Sequence, residues 1–212
     1  MSTSIDPEAA LWNTDPGSRE GRPLLVLMHG RRGDPADRFE MASDLPPEFV
    51  IVSLRAPIAE EGTWSWFDPA ANPSGDPRAE DADEAADAVL RWIDALAFRP
   101  SLIGTLGFSQ GGAMATHVLR RDTERIAFAV NLAGYVVRGE QPTDARLAER
   151  RPPVFWGRGA DDTLFTAELT ERTAGWLERH TALESHVYAG LDHAISPREV
   201  DDVAAFLRHR LR

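Results

Sequence analysis

The chain of 212 residues has no cysteine, no lysine, only two tyrosines, and no long apolar run. Without cysteine there is neither a disulfide framework nor a thiol nucleophile, which excludes the hydrolases that attack through sulfur. The absence of lysine is read as the bias of a GC-rich genome or a salt-adapted proteome and carries no mechanism. No apolar stretch approaches the ~20 residues that a membrane-spanning helix needs. The segment Met1–Pro7 lacks the basic region and apolar core of a secretory leader, so a cytoplasmic location is expected. Positive charge is scarce as well: 23 arginines face 34 acidic residues, for a net charge of −11. That balance argues against nucleic acid and anionic membrane surfaces as partners. What is present is ordinary for a globular enzyme, with 42% hydrophobic and 27% charged residues. The length suits one well-buried core, so a single domain over 1–212 is expected.

Periodicity divides the chain into alternating strands and helices. Residues 1–21 are polar, with a short edge strand expected around Ala9–Trp12. Continuous apolar runs at Pro23–His29, Glu48–Leu54, Ser101–Leu106, Ala127–Ala133, Pro153–Gly157 and Ser185–Ala189 read as strands, the first ones buried on both faces. Helical spacing is seen over Ala36–Leu45, Ala79–Ala97, Gly112–Arg120, Thr166–His180 and from Pro197 onward. Ser196 caps the last of these, and Pro197 fits its first turn. Arg138–Pro152 reads as a surface excursion with a helical turn or two. The long loop after Leu54 holds Trp64, Trp66 and Phe67; three large aromatics argue against disorder there. The alternation predicts an α/β fold, a mostly parallel twisted sheet with helices on both faces. In such sheets the site lies at the carboxyl ends of the strands.

The most informative stretch is Gly107-Phe108-Ser109-Gln110-Gly111, set between an apolar run and a small-residue helix. That context makes G-x-S-x-G a nucleophile elbow, with the serine on a sharp turn whose glycines let strand and helix converge. A glycine-rich turn without chemistry is the bland alternative. A serine needs a base, and the base needs a group to orient it. His193, after the last strand, is the histidine in the position the sheet demands. His117, His180, His186 and His209 are read as surface or internally satisfied residues. The acid follows the strand ending at Gly157, where Asp161 and Asp162 are both candidates. Two N–H donors must face the developing oxyanion. The backbone of Gln110, directly after the nucleophile, and that of Arg31, after the first buried strand, are the expected pair. The Arg31 and Arg32 side chains are candidates to attract an anionic part of a substrate, against a solvated role. Trp64, Trp66, Phe67 and Met114 are candidates for the substrate pocket, against a role in the core.

These motifs resemble the phospholipase/carboxylesterase family of small α/β-hydrolases, which includes carboxylesterases and acyl-protein thioesterases. The resemblance rests on His29-Gly30 with Gly33-Asp34, Ser65-Trp66-Phe67-Asp68, Gly107-Phe108-Ser109-Gln110-Gly111-Gly112, Asn131-Leu132-Ala133-Gly134-Tyr135, and the Asp162 and His193 loops. It spans roughly Leu24 to Leu207. Family members carry a glycine, two residues and then the acid; Gly159-Ala160-Asp161-Asp162 fits that frame with Asp162. The resemblance implies an α/β-hydrolase fold without a separate cap domain and a catalytic Ser109, Asp162 and His193. It implies hydrolysis of small ester or thioester substrates with no cofactor and no metal, and it is compatible with a homodimer. The sequence departs from the family pattern at Thr163, Asp192 and Arg31-Arg32, which bears on substrate preference. A thioesterase or lysophospholipase with the same triad is the second reading, and a non-catalytic binding module on this fold the third.

Overall fold

Leu24-Leu25-Val26-Leu27-Met28 is apolar at every position because both faces of the strand it forms are covered. In the computed structural model, which describes residues 3–68, 77–164 and 166–211, all five side chains are buried. The strands in chain order are β1 (Leu11–Trp12), β2 (Leu24–Met28), β3 (Val50–Leu54), β4 (Ile58–Glu60), β5 (Thr63–Ser65), β6 (Ile103–Phe108), β7 (Ile126–Leu132), β8 (Pro153–Gly159) and β9 (Ala182–Tyr188). The helices are α1 (Ala79–Asp94), α2 (Gln110–Arg121), α3 (Asp144–Arg150), α4 (Ala167–His180) and α5 (Pro197–Arg210). Seven strands make one sheet in the order β1-β3-β2-β6-β7-β8-β9. Every pairing is parallel except that of β1 with β3. The expected short edge strand is therefore present, and it is the antiparallel one.

Alternation along the strands feeds two cores. Leu24, Val26 and Met28 join Ala85 and Val89 of α1, Met114 and Val118 of α2, and Leu169 and Leu177 of α4 on one face. Leu25 and Leu27 join Met41 and, from α5, Phe206 and Leu207 on the other. Burying each large aliphatic side chain contributes about 1.5–3 kcal/mol. Both faces of the sheet are thus fixed, and the ends of its strands become a rigid platform. Among the described residues no helix is long and apolar enough to cross a membrane.

Two expectations are corrected. The helix expected over Ala36–Leu45 is instead a series of tight turns and a short 3-10 helix, Phe39–Ser43. The carboxylates of Asp34 and Asp37 take the backbone N–H groups of Ala36 and Asp34, each at 2.9 Å. Such local bonds compete with helix formation. Arg38 then adopts a left-handed φ of 67°. Second, the long loop after β3 contains a hairpin, β4–β5, turned at Glu61 and Gly62, both with positive φ. It contacts the loop after β2 through a two-bond bridge between Gly33 and Trp64 of β5, with N···O distances of 3.1 and 3.0 Å. The part of that loop numbered 69–76 lies outside the described residues. The excursion before β8 holds α3 and is pinned by Arg120, which is 1% exposed. Its guanidinium donates to both carboxylate oxygens of Asp144, each at 2.5 Å, and to the carbonyls of Val137 and Gly139.

Candidate active site

Ser109 stands where β6 meets α2, with φ 55° and ψ −116°. Such a conformation costs a non-glycine residue about 1–3 kcal/mol and persists only where the surroundings impose it. Here they do. The Ser109 N–H donates to the Leu132 carbonyl at 2.8 Å, and the Ser109 carbonyl accepts the first helical bond from Ala113 at 3.0 Å. A Cβ at Gly107 would stand 2.0 Å from the Gly111 carbonyl oxygen, and one at Gly111 would stand 2.1 Å from that of Met28. No side chain fits at either position, so both glycines are required by close approach.

His193 lies in the loop between β9 and α5, and Asp162 in the loop after β8. His193 Nε2 is 2.8 Å from Ser109 Oγ, and His193 Nδ1 is 2.7 Å from Asp162 Oδ2. With the hydroxyl donating to Nε2, the Nδ1–H donates to the carboxylate. The other oxygen, Oδ1, accepts the Leu164 N–H at 2.9 Å. The Asp162 side chain is 5% exposed and that of His193 14%, so the pair is shielded from bulk water. Asp161 is exposed. Its backbone N–H donates to the Leu191 carbonyl at 3.0 Å and ties the acid-bearing loop to the histidine-bearing one. The other histidines sit elsewhere: His117 against Asp83, His180 stacked on Trp176, His186 stacked on Phe155, and His209 exposed on α5.

The loop after β2 comes against Ser109, with the Cβ position of Gly30 3.6 Å from Ser109 Cβ. His29 beneath it is 2% exposed. Its Nδ1–H donates to the Gly30 carbonyl at 2.7 Å, and Nε2 accepts the Ala56 N–H at 3.1 Å. Burial lowers its pKa below the ordinary value of 6.5, which suits a ring that must keep one nitrogen free to accept. Gln110 uses its side chain more than the sequence suggested. Oε1 accepts the Trp66 N–H at 2.8 Å, and Nε2 donates to the Phe67 carbonyl at 2.9 Å. The Trp66 indole N–H closes the ring of contacts on the His29 carbonyl at 2.8 Å.

The pocket candidates divide. Trp66, Phe67 and Met114 are fully buried in the core and present no surface to a substrate. Trp64 is half-buried, its ring beneath the Arg55 guanidinium at 4.1 Å. Arg31 and Arg32 do not offer free positive charge. Both reach Glu60 Oε1, at 2.9 and 2.7 Å, and Arg32 also reaches Glu61. The Ser65 hydroxyl donates to the second Glu60 oxygen at 2.7 Å while accepting the Arg32 N–H at 3.2 Å. These bonds, the one from Ser65 foremost, hold the Glu60 carboxyl down to about 2. The network joins the β4–β5 hairpin to the loop beside Ser109. Phe108, passed over in the sequence, has its ring centre 4.9 Å from that of His193, and the Arg38 guanidinium lies over the same ring, 5.0 Å from its centre. Its place between Gly107 and Ser109 is the signal that it must point beside Ser109. A cleft of about 420 Å³ beside it is lined by Gly30, Arg31, Asp37, Arg38, Glu40 and Phe108.

A parallel sheet carrying a strained serine at an elbow, with a polar edge at its strand ends, defines an α/β-hydrolase. The chain belongs to the phospholipase/carboxylesterase family, whose model matches residues 13–211. By class it is a carboxylesterase-type serine hydrolase that cleaves carboxylic esters. It is similar to a protein of Oryza sativa subsp. japonica named as a probable carboxylesterase, at 27% identity over 90% of this chain and 79% of that one. It is similar to acyl-protein thioesterase 1 of Mycosarcoma maydis at 31% identity, over 48% of this chain and 45% of that protein. Its fold matches the crystal structure of a Bacillus cereus carboxylesterase with a TM-score of 0.79 at 21% identity, covering 94% of this chain and 93% of that one.

Proposed function

We propose that Ser109, His193 and Asp162 form the catalytic triad of this hydrolase, and that it acts on small or medium acyl esters through an acyl-enzyme. The observation that carries the reading is the unbroken chain from Asp162 Oδ2 through the His193 ring to Ser109 Oγ, with links of 2.7 and 2.8 Å. Ser109 Oγ attacks the acyl carbonyl while Nε2 takes its proton. The Asp162 carboxylate fixes the tautomer and stabilises the imidazolium. The oxyanion rests on the backbone N–H groups of Gln110 and Arg31. Gln110 is the first residue of α2, so its N–H has no acceptor within the helix. Each such donor contributes about 3–4 kcal/mol to the transition state. The imidazolium then protonates the leaving alcohol, and water releases the acyl group by the reverse steps.

A thioester substrate is the second reading, favoured by the similarity to proteins named acyl-protein thioesterase 1. The test is mass spectrometry after fluorophosphonate treatment, on wild type, Ser109→Ala and His193→Ala, followed by rates on p-nitrophenyl esters, acyl-thioesters and lysolipids. One adduct on Ser109, absent in Ser109→Ala and slow to form in His193→Ala, is expected. An unlabelled but folded wild type would refute the triad assignment and leave a binding module as the better reading. Thioesters hydrolysed faster than matched esters would establish the second reading over the first.

A further inference from the structure

Glu199 is an acid in the wrong place for an acid. It sits in the first turn of α5, six residues after His193, and is fully buried. Neither carboxyl oxygen has a hydrogen-bond partner among the described residues. A buried, unpartnered carboxyl is costly and calls for a reason. The surrounding geometry supplies one. A Cβ at Gly157 would stand 2.2 Å from Glu199 Oε1, so the missing side chain at 157 is the space the carboxyl fills. Gly157 lies on β8, near the end that leads to Asp162. Ser196 and Glu199 also have the S-x-x-E spacing of a capping box, and the Ser196 hydroxyl accepts the Glu199 N–H at 3.2 Å. Glu199 therefore joins both arms of the site: its backbone N–H is bonded in the first turn of the helix behind His193, and its carboxyl lies against the strand before Asp162.

We infer that Glu199 is a positioning residue for the reaction proposed above, on which this inference rests: its carboxyl, seated in the notch at Gly157, holds the start of α5 and the His193 loop in register with the strand that delivers Asp162. The carboxyl is suited to this as a neutral group. Burial raises its pKa to about 7; the Ser196 N–H, near the carboxyl but not hydrogen-bonded to it, opposes this, and Asp202 adds a smaller push upward. The groups around it are consistent with a neutral acid. On α5 stands Asp202. On β9 stand Tyr188, whose hydroxyl donates to Asp202 at 2.9 Å, and His186, whose Nδ1 is 3.6 Å from Asp202. Arg198, also on α5, acts on Tyr188. None of these gives the Glu199 carboxylate a direct counter-charge, so ionisation would leave a charge in the notch.

The test compares wild type, Glu199→Gln and Glu199→Ala across about pH 5 to 9, by kcat and KM on a p-nitrophenyl ester and by the low-field proton resonance of the His193 Nδ1–H. Wild-type kcat should fall as Glu199 ionises above neutrality, while Glu199→Gln, neutral and of the same shape, should lack that step. Glu199→Ala should lose about tenfold or more in kcat with KM little changed, as expected for a displaced catalytic group. The low-field resonance should survive in Glu199→Gln and broaden in Glu199→Ala. Superimposable pH profiles for wild type and Glu199→Gln, or an unchanged resonance in Glu199→Ala, would overturn the inference. The resonance does not depend on turnover. A wild type that cleaves no ester would thus count against the ester reading, while the resonance in the variants still decides the role of Glu199.

Discussion

Glu199 also sets a thermodynamic expectation that needs no substrate. An ordinary glutamate titrates at 4.5, and in the folded chain this one titrates at about 7. The native state therefore holds the proton more tightly than the unfolded chain does. The sign follows by linkage: the contribution to stability is fully present below 4.5 and is lost as pH rises through about 7. The size of the displacement corresponds to about 3 kcal/mol. The perturbation is Glu199→Gln, which keeps the shape and cannot ionise. Urea denaturation of both proteins at a series of pH values gives two stability curves. Every other acid titrates in both, so their contributions largely cancel in the difference. Relative to wild type, the variant should gain about 3 kcal/mol between about pH 4.5 and pH 8.5, most of it between pH 5 and 7.5. A difference that stays flat, or that shrinks as pH rises, would show that the carboxyl is not held neutral and would refute the reasoning.

Two further outcomes follow from the loop beside Ser109. Gln110→Ala leaves the buried Trp66 N–H and Phe67 carbonyl without partners, and should cost about 2–4 kcal/mol by thermal or urea denaturation; a loss well below that would mean the 66–67 segment is held by other contacts. His29 is kept neutral by burial, so the native state binds its proton less tightly than the unfolded chain. Its contribution is present above the ordinary value of 6.5 and is lost as pH falls, and His29→Gln should flatten that part of the acid limb in the same denaturation series.

Much of this was legible in the sequence because the signals were local and physical. Leu24–Met28 reads as a doubly buried strand because no position needs water. Ser109 reads as a nucleophile because Gly107 and Gly111 leave a mark in the sequence of the close approach they permit. Asp162 could be separated from Asp161 only by the spacing of a family pattern; in space the difference is plain, since Asp161 is exposed and Asp162 meets His193. What escaped the reading were features set by distant partners. The β4–β5 hairpin has strands of three residues, too short for periodicity, although Glu61-Gly62 was a turn signal of the right length. The aromatics of the long loop were legible as ordered, with a core role weighed against a pocket role, but nothing local states which way Trp66 faces and so which of the two it takes. Glu199 broke the polar-out rule on α5, and its burial depends on a glycine 42 positions earlier in the chain.

The strand order explains why such anchoring is needed at all. Ser109 follows β6, Asp162 follows β8, and His193 follows β9, with β7 between the first two. Neighbouring strands lie about 4.8 Å apart, so the His193 loop must return over three spacings, roughly 14 Å, to bring its ring to Ser109. From the end of β9 at Tyr188 to His193 the chain has five residues, which extend to about 17 Å at most. Little slack is left for the loop to set its own course. Its path is decided by its ties: the Asp161 N–H on the Leu191 carbonyl at one point, and the start of α5 at the other. The first tie joins the histidine loop to the acid loop directly. The second reaches the same strand through a carboxyl lodged at Gly157. The relative placement of Asp162 and His193 therefore depends on β8 and these two attachments, together with the bonds inside the loop, Leu191 N–H to the Tyr188 carbonyl and Ala194 N–H to the Asp192 carbonyl.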